Sequence, residues 1–254
     1  MISIIIPSFQ SAAYIGSLLE SIGRQTYTDY EVLIMDGGSS DKTAEIVASF
    51  FSLPVTFHHA PDQGVYDAMN KGIKKAQGQW LYFIGCDDKL YTDNTLSDIA
   101  ELLAGNHFDI VYGDVLLTSN RSRYAGEFDL DRLLFEKNIC HQAIFYRKTV
   151  FDKVGFYNLR YKIWGDWELN IRCFRHTELV IKHVNTIIAY YNDESGVSSK
   201  YDTIFCEELP SFHIHKEKSL EAQNNILLTS KSYLIGKKIT GFINAIGIGK
   251  LLKK

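Results

Sequence analysis

Two acids, Asp87 and Asp88, stand side by side at the exit of the apolar run Trp80-Leu81-Tyr82-Phe83-Ile84. A buried strand that stops in two carboxylates delivers both to the rim of a sheet. In open α/β folds the carboxyl-end rim is where ligands bind. Paired carboxylates repel each other, and a divalent cation relieves the repulsion. A cation at such a rim grips a diphosphate, so the pair points to nucleotide chemistry.

Three earlier segments are placed in the same way. Pro7-Ser8-Phe9-Gln10 follows the apolar run Ile2-Ser3-Ile4-Ile5-Ile6, where a turn would set backbone amides and a hydroxyl at the rim. Asp36-Gly37-Gly38-Ser39-Ser40-Asp41 ends the run Tyr30 to Met35. Its glycines let a ligand approach the chain closely. Asp36 is placed to accept from a base N–H or a ribose hydroxyl, and Ser40 or Asp41 to cap the following helix. The stretch Pro61-Asp62-Gln63-Gly64-Val65-Tyr66-Asp67-Ala68-Met69-Asn70-Lys71-Gly72 leads from a loop into a helix. Helix N-termini favour anions, and Lys71 either reaches phosphate or sits on a solvated face.

The elements that must carry these residues alternate. Apolar runs at 2–6, 30–35, 55–58, 79–84 and 109–114 read as strands, and amphipathic stretches at 12–22, 41–50, 66–76 and 94–103 as helices. That rhythm predicts βαβ units and a mostly parallel sheet flanked by helices. After Asp114 it breaks. An irregular hairpin is expected over 116–128, strands at 143–147 and 179–190, and a helix at 167–174. Further helices are expected at about 200–216 and 222–252, with Pro210 starting or interrupting one rather than lying in its middle. The expected division is a nucleotide-sugar transferase domain over 1–195, with a donor half (1–115) and an acceptor half (116–195), then a helical region over 196–254.

With 254 residues, 46% of them apolar, the chain can bury a full core. Its four cysteines (Cys86, Cys140, Cys173 and Cys206) contain no C-x-x-C pair, so neither a zinc site nor a disulfide framework is expected. Reduced thiols in a cytoplasm follow from that. No basic leader precedes Ile2, and no run is long enough to span a bilayer. The net charge of −3 hides an asymmetry. Lys231, Lys237, Lys238, Lys250, Lys253 and Lys254 give the tail +6 with no acid after Ala222, leaving −9 on the remainder. From Leu234 to Lys254, Ile235, Ile239, Phe242, Ile243 and Ile246 recur at helical spacing. Such a helix fits the surface of an anionic membrane, or packs on protein. No nucleic acid partner is expected.

Taken together, strand-Pro-Ser, Asp-Gly-Gly-Ser-x-Asp, a helix with Asn-x-Gly, and strand-x-Asp-Asp resemble the glycosyltransferase family 2 pattern over 1–191, of the type that builds bacterial surface polysaccharides. The resemblance implies a GT-A α/β fold, a nucleotide-sugar donor, expected to be a UDP-sugar, and Mg²⁺ or Mn²⁺. It carries the nucleobase contact to Asp36, the ribose contact to Asp87 and the metal to Asp88, with Pro7, Ser8, Asn70 and Lys71 at the donor. Gln10 stands where many members have Asn, and Gly85-Cys86 replaces a commoner Asn-Ala or Asn-Ser.

Gly165-Asp166-Trp167-Glu168 forms a second centre. Family members carry an acid before an aromatic here. Asp166 matches their general base, and Gly165 replaces the usual preceding acid. His141-Gln142 resembles a His-Gln pair of related sequences that touches donor phosphates or the acceptor. Trp164 and Trp167 flank the base and either stack on an acceptor sugar or belong to the core. The expected activity is therefore inverting transfer of a sugar to a glycan or lipid-linked acceptor, on the cytoplasmic side and peripheral to the membrane. Two alternatives stand beside it: a non-catalytic nucleotide-sugar-binding or scaffold protein at the membrane, and a sugar-phosphate nucleotidyltransferase. The second lacks the glycine-rich phosphate loop near the first strand. A dinucleotide oxidoreductase fails likewise, because no Gly-x-Gly-x-x-Gly follows Ile6.

Overall fold

Alternation along the first strand, β1 (Ile2–Ser8), sets the architecture. Ile2, Ile4 and Ile6 join one buried cluster and Ile5 another, so both faces of the strand are covered. A strand buried on both faces needs helices on both. The computed structural model describes residues 1–105, 107–194 and 201–214. After β1 come α1 (Ile15–Gly23), β2 (Tyr30–Asp36), α2 (Thr43–Ser49), β3 (Val55–His59), α3 (Val65–Lys75) and β4 (Trp80–Phe83). Then follow β5 (Lys89–Leu90), α4 (Thr95–Leu103), β6 (Ile110–Leu117), β7 (Arg123–Tyr124) and α5 (Leu130–Phe135). A 3-10 turn at His141–Ala143 opens β8 (Ile144–Arg147), before α6 (Val150–Val154), α7 (Gly165–Arg175), β9 (Ile181–Tyr191) and α8 (Thr203–Ile214).

One sheet holds all nine strands in the order β3-β2-β1-β4-β8-β6-β9-β5, with β7 paired to β6. The pairs β3-β2, β2-β1, β1-β4 and β6-β9 are parallel. Thus β1 to β4, β6 and β9 share a direction, and the short β5, β7 and β8 oppose it. Leu18, Ile22, Leu96 and Ile99 of α1 and α4 cover one face. Met69 and Ile73 of α3, Leu133 of α5, Phe151 of α6 and Leu169 of α7 cover the other.

The early elements stand where the periodicity puts them, with shifted ends. Strand β1 runs on through Ser8, so Pro7 and Ser8 end the strand instead of forming a turn after it. The hairpin β6–β7 is followed by α5, an element the pattern does not announce; Asp129 accepts from Arg132 N at its start. Helix α3 lies against β1 so closely that a Cβ on Gly72 would come within 2.5 Å of Ile5 Cγ2. Contrary to expectation, Pro210 lies inside α8. Packing outweighs the roughly 3 kcal/mol penalty of an interior proline: Phe205 of α8 is fully buried, with ring centroids 5.7 and 5.1 Å from Trp164 and Trp167. The boundary expected at residue 195 and the helix expected over 222–252, with its basic stripe, lie outside the described residues. Among the described residues no helix is long and apolar enough to cross a membrane.

Candidate active site

The shared strand direction brings the carboxyl ends of β1, β2 and β4 to one rim, where a cavity of about 1060 Å³ opens. Pro7, Ser8, Asp87, Asp88, His141, Gln142, Trp164, Asp166 and Trp167 all line it. Asp36, Asn70 and Lys71 are not among the lining residues.

The acidic pair follows β4 directly. Asp88 is only 2% exposed. Gln142 Nε2 and Gly85 N donate to its Oδ2 at 2.7 and 3.2 Å, and Asn192 N donates to its Oδ1 at 2.9 Å. Asn192 Nδ2 also donates to Asp87 Oδ2 at 3.3 Å. Burial and the neighbouring Asp87 charge push the Asp88 carboxyl up to about 7, against the donors from Asn192 and Gln142. A Cβ on Gly85 would come within 2.8 Å of Asp88 Oδ2. The same residues bear on a divalent cation. A buried carboxylate raised by its neighbour is relieved by positive charge, and the oxygens are hard donors suited to Mg²⁺ or Mn²⁺. No cluster of three or more metal-ligating side chains occurs among the described residues. The residues therefore fit an ion that takes its remaining ligands from phosphate and water.

Asp166 sits in the first turn of α7, 8% exposed. Trp167 N donates to its Oδ1 at 2.9 Å, and Asn138 Nδ2 donates to its Oδ2 at 3.0 Å. The Tyr66 hydroxyl lies 3.0 Å from Oδ1 and 2.5 Å from Ile163 O, so its single proton serves both. His141 Nδ1 stands 3.6 Å from Oδ2, while its Nε2 is buried without a hydrogen-bond partner among the described residues. The glycine that replaces the family's preceding acid is explained by the same ring. A Cβ on Gly165 would lie 2.9 Å from Tyr66 Cδ2 and Cε2. Trp167 spends its indole N–H on Leu133 O at 2.7 Å, and its ring stands 5.5 Å from that of Trp164.

The remaining expected residues lie outside the cavity lining. Asp36 is 2% exposed. Its Oδ1 accepts from Ser8 Oγ and Ser39 Oγ at 3.2 and 2.6 Å, and its Oδ2 from Gly38 N and Ser39 N at 3.1 and 2.9 Å. His59 Nδ1 lies 2.7 Å from the same Oδ2. Burial raises this carboxyl, but the donors from Ser39, His59 and Gly38 outweigh it and hold it below the usual aspartate range. Asn70 is a clamp, donating to Tyr157 O at 2.9 Å and accepting from Tyr157 N at 3.0 Å. Lys71 pairs with Asp67 at 2.9 Å and donates to Pro61 O at 3.0 Å. Gln10, at φ +49, accepts from Ser40 N and Asp41 N and so ties the β1 and β2 loops together. Asp41 accepts from Thr43 N at the start of α2, and across the gap from Ala12 N.

Sequence reasoning gave no role to Tyr66, Asn138 or Asn192. Tyr66 lies inside a motif already singled out. Asn138 stands three residues before His141, and Asn192 just past β9. Nothing in their spacing announces that they meet the acids.

Among similar chains, a PGL/p-HBAD biosynthesis glycosyltransferase of Mycobacterium bovis is 47% identical over 216 residues, covering 83% of this chain and 84% of the relative. A Mycobacterium tuberculosis protein of the same name matches to the same extent. Among solved structures, S. aureus TarS in complex with UDP-GlcNAc superposes with a TM-score of 0.68 at 22% identity, over 79% of this chain and 61% of that one. Mannosyltransferase PcManGT from Pyrobaculum calidifontis, in complex with GDP-Man and Mn²⁺, gives 0.63 at 14% identity over 100% of this chain and 87% of that one. The fold is the GT-A α/β fold. The profile of Glycosyl transferase family 2 matches residues 3–156, a span that takes in the strand-end acids and the helix of α3. With that match and the mycobacterial relatives, the chain belongs to glycosyl transferase family 2 and is a transferase enzyme.

Proposed function

We propose that the chain is an inverting, divalent-metal-dependent transferase. It moves a sugar from a UDP-sugar to a hydroxyl of a glycan or lipid-linked oligosaccharide in the synthesis of a bacterial surface polysaccharide. The observation that carries this reading is that one cavity holds Asp87, the buried Asp88 and the separately positioned Asp166.

Asp88, with Asp87 beside it, would hold the cation, which supplies a Lewis acid for the charge on the leaving diphosphate. Pro7, Ser8 and Asp87 meet the nucleotide from the ends of β1 and β4. Asp36, Asn70 and Lys71 serve the donor from behind, by shaping the loops that touch it. The acceptor oxygen forms a bond to the anomeric carbon as that carbon's bond to the diphosphate oxygen breaks. The acceptor's proton passes to an oxygen of Asp166. A single displacement of this kind inverts the anomeric centre. Trp164 and Trp167 offer ring faces to the acceptor sugar, and His141 lies beside Asp166 to meet the transferred group. Relatives named for PGL/p-HBAD biosynthesis support a biosynthetic transfer. The four cysteines are free thiols, which supports a reducing, cytoplasmic setting for the reaction.

The test is turnover without acceptor. The chain is incubated with Mn²⁺ and UDP-N-acetylglucosamine, UDP-glucose or GDP-mannose, and the released sugar is followed by proton NMR before mutarotation. The expected product is the anomer opposite to the donor's, absent with EDTA and in Asp166→Asn. Release with retained configuration contradicts the inverting mechanism. No release from any donor, with nucleotide still bound, favours the non-catalytic reading.

A further inference from the structure

The carboxylate of Asp166 is held unevenly. Oδ1 meets a backbone N–H and a shared phenol proton, whereas among the described residues Oδ2 has one hydrogen-bonding donor, Asn138 Nδ2 at 3.0 Å. An amide presents a donor at one end and an acceptor at the other, so its effect on a carboxylate depends on which end faces it. Two contacts orient that amide, and a third, from a phenol able to donate or accept, is consistent with them. Asn138 Oδ1 accepts from Asn170 Nδ2 at 2.8 Å. The same Asn170 nitrogen faces the carbonyl of Ile139 at 3.4 Å, which can only accept. Asn170 Oδ1 in turn accepts from the Tyr146 hydroxyl at 2.8 Å. Tyr146 is fully buried and Asn170 is 2% exposed, so water does not compete along this line. The backbone of Asn138 is pinned as well, its carbonyl accepting from Tyr124 OH at 2.8 Å.

We propose that Asn138 is a positioning residue for Asp166, and that Asn170, oriented by the Ile139 carbonyl and linked to Tyr146, holds its amide with the nitrogen toward the carboxylate. The proposal rests on the reading of Asp166 as the base. Its physical content is that β8, through Tyr146, and α7, through Asn170, dictate the orientation of a loop side chain at the cavity. A flipped Asn138 would set a carbonyl oxygen against Asp166 Oδ2, repel it and turn the base away from the acceptor. A misplaced catalytic group of this kind costs about 100-fold in rate for about 1 Å of error.

The experiment uses the full chain, with UDP release from UDP-N-acetylglucosamine as the rate and UDP affinity measured separately by calorimetry. Asn138→Leu is expected to lower kcat by about 10- to 100-fold while KM and UDP affinity stay within about twofold. Tyr146→Phe removes one oxygen outside the cavity and is expected to lower kcat by about three- to tenfold with the same KM. Asn138→Asp brings a second carboxylate to Asp166 in place of a donor and is expected to lower kcat with UDP affinity retained. An unchanged kcat in Asn138→Leu overturns the proposal. So does an equal loss of kcat, UDP affinity and melting temperature, which marks a merely structural residue.

A second readout needs no turnover. The Asn138 side-chain amide signals in ¹⁵N–¹H spectra, assigned by their loss in Asn138→Leu, are expected to shift in Tyr146→Phe and in Asp166→Asn. Signals indifferent to Tyr146→Phe overturn the link to Tyr146. A link that passes this test in a chain with no turnover and no UDP binding leaves the link standing and the transferase mechanism refuted.

Discussion

Gln142 Nε2 donates to Asp88 Oδ2 at 2.7 Å, joining the turn that opens β8 to the acidic end of β4. The contact exists because β8 inserts antiparallel beside β4. It leaves Asp88 buried, with Asp87 next to it and no cationic side chain in salt-bridge contact among the described residues.

That arrangement makes the metal-free chain sensitive to pH. Burial and Asp87 raise the folded-state Asp88 carboxyl to about 7 from its ordinary 3.8, so the folded chain keeps a proton that the unfolded chain releases. The associated stability is full below pH 3.8 and is lost as pH rises through about 7. In EDTA, Asp88→Asn is therefore expected to melt above the wild type at pH 8, by about 2–4 °C, and not at pH 4. Thermal melts at the two pH values check this; an equal difference at both removes titration of Asp88 as its cause.

Asp166→Asn keeps the shape of the site and removes the proton acceptor. Turnover of donor is expected to fall by about 100- to 10,000-fold, with UDP affinity retained. Loss of UDP affinity in parallel would place Asp166 in donor binding instead.

Asp36 gathers four donors and His59, yet does not line the cavity. Asp36→Ala leaves those donors without their acceptor, and a stability loss of about 1–3 kcal/mol is expected by denaturant titration at neutral pH. The donors hold this carboxyl below its ordinary value, so its contribution is present above that ordinary value and lost as pH falls through the lowered one. The gap between wild type and Asp36→Ala is expected to narrow in strong acid.

Gly165 and Tyr66 leave no room for one another. Gly165→Ala would press a methyl to 2.9 Å from the Tyr66 ring, costing about 1–3 kcal/mol and displacing the hydroxyl beside Asp166. Combining it with Tyr66→Leu is expected to cost less than the sum of the two single changes, read as a coupling energy in a double-mutant cycle. Strict additivity would show that the ring does not set the glycine.

Much of this arrangement was readable from local pattern. The alternation in β1 and the run ending at Asp87-Asp88 place strands and their exits, because side-chain period and burial are short-range properties. The neighbour of each strand is not short-range: a strand at Ala143 to Arg147 was visible, but not its insertion between β4 and β6, which brings Gln142 to Asp88. The motif around Asn70 and Gly72 read as a binding signal, while its asparagine clamps Tyr157 and its glycine admits Ile5. Asn138 was invisible for a related reason. A loop amide gains its meaning from Asn170 and Tyr146, residues that meet it only after the sheet has formed. Pro210 shows the converse, a strong local signal overridden by the burial of Phe205.

The most direct test of the central claim is calorimetric binding of UDP and of GDP, with Mn²⁺ and then with EDTA, to the wild type and to Asp88→Ala. Mn²⁺-dependent binding of UDP that disappears with EDTA and in the variant is expected. Binding of neither nucleotide by a folded wild type would contradict it, as would UDP binding that ignores both EDTA and the loss of Asp88.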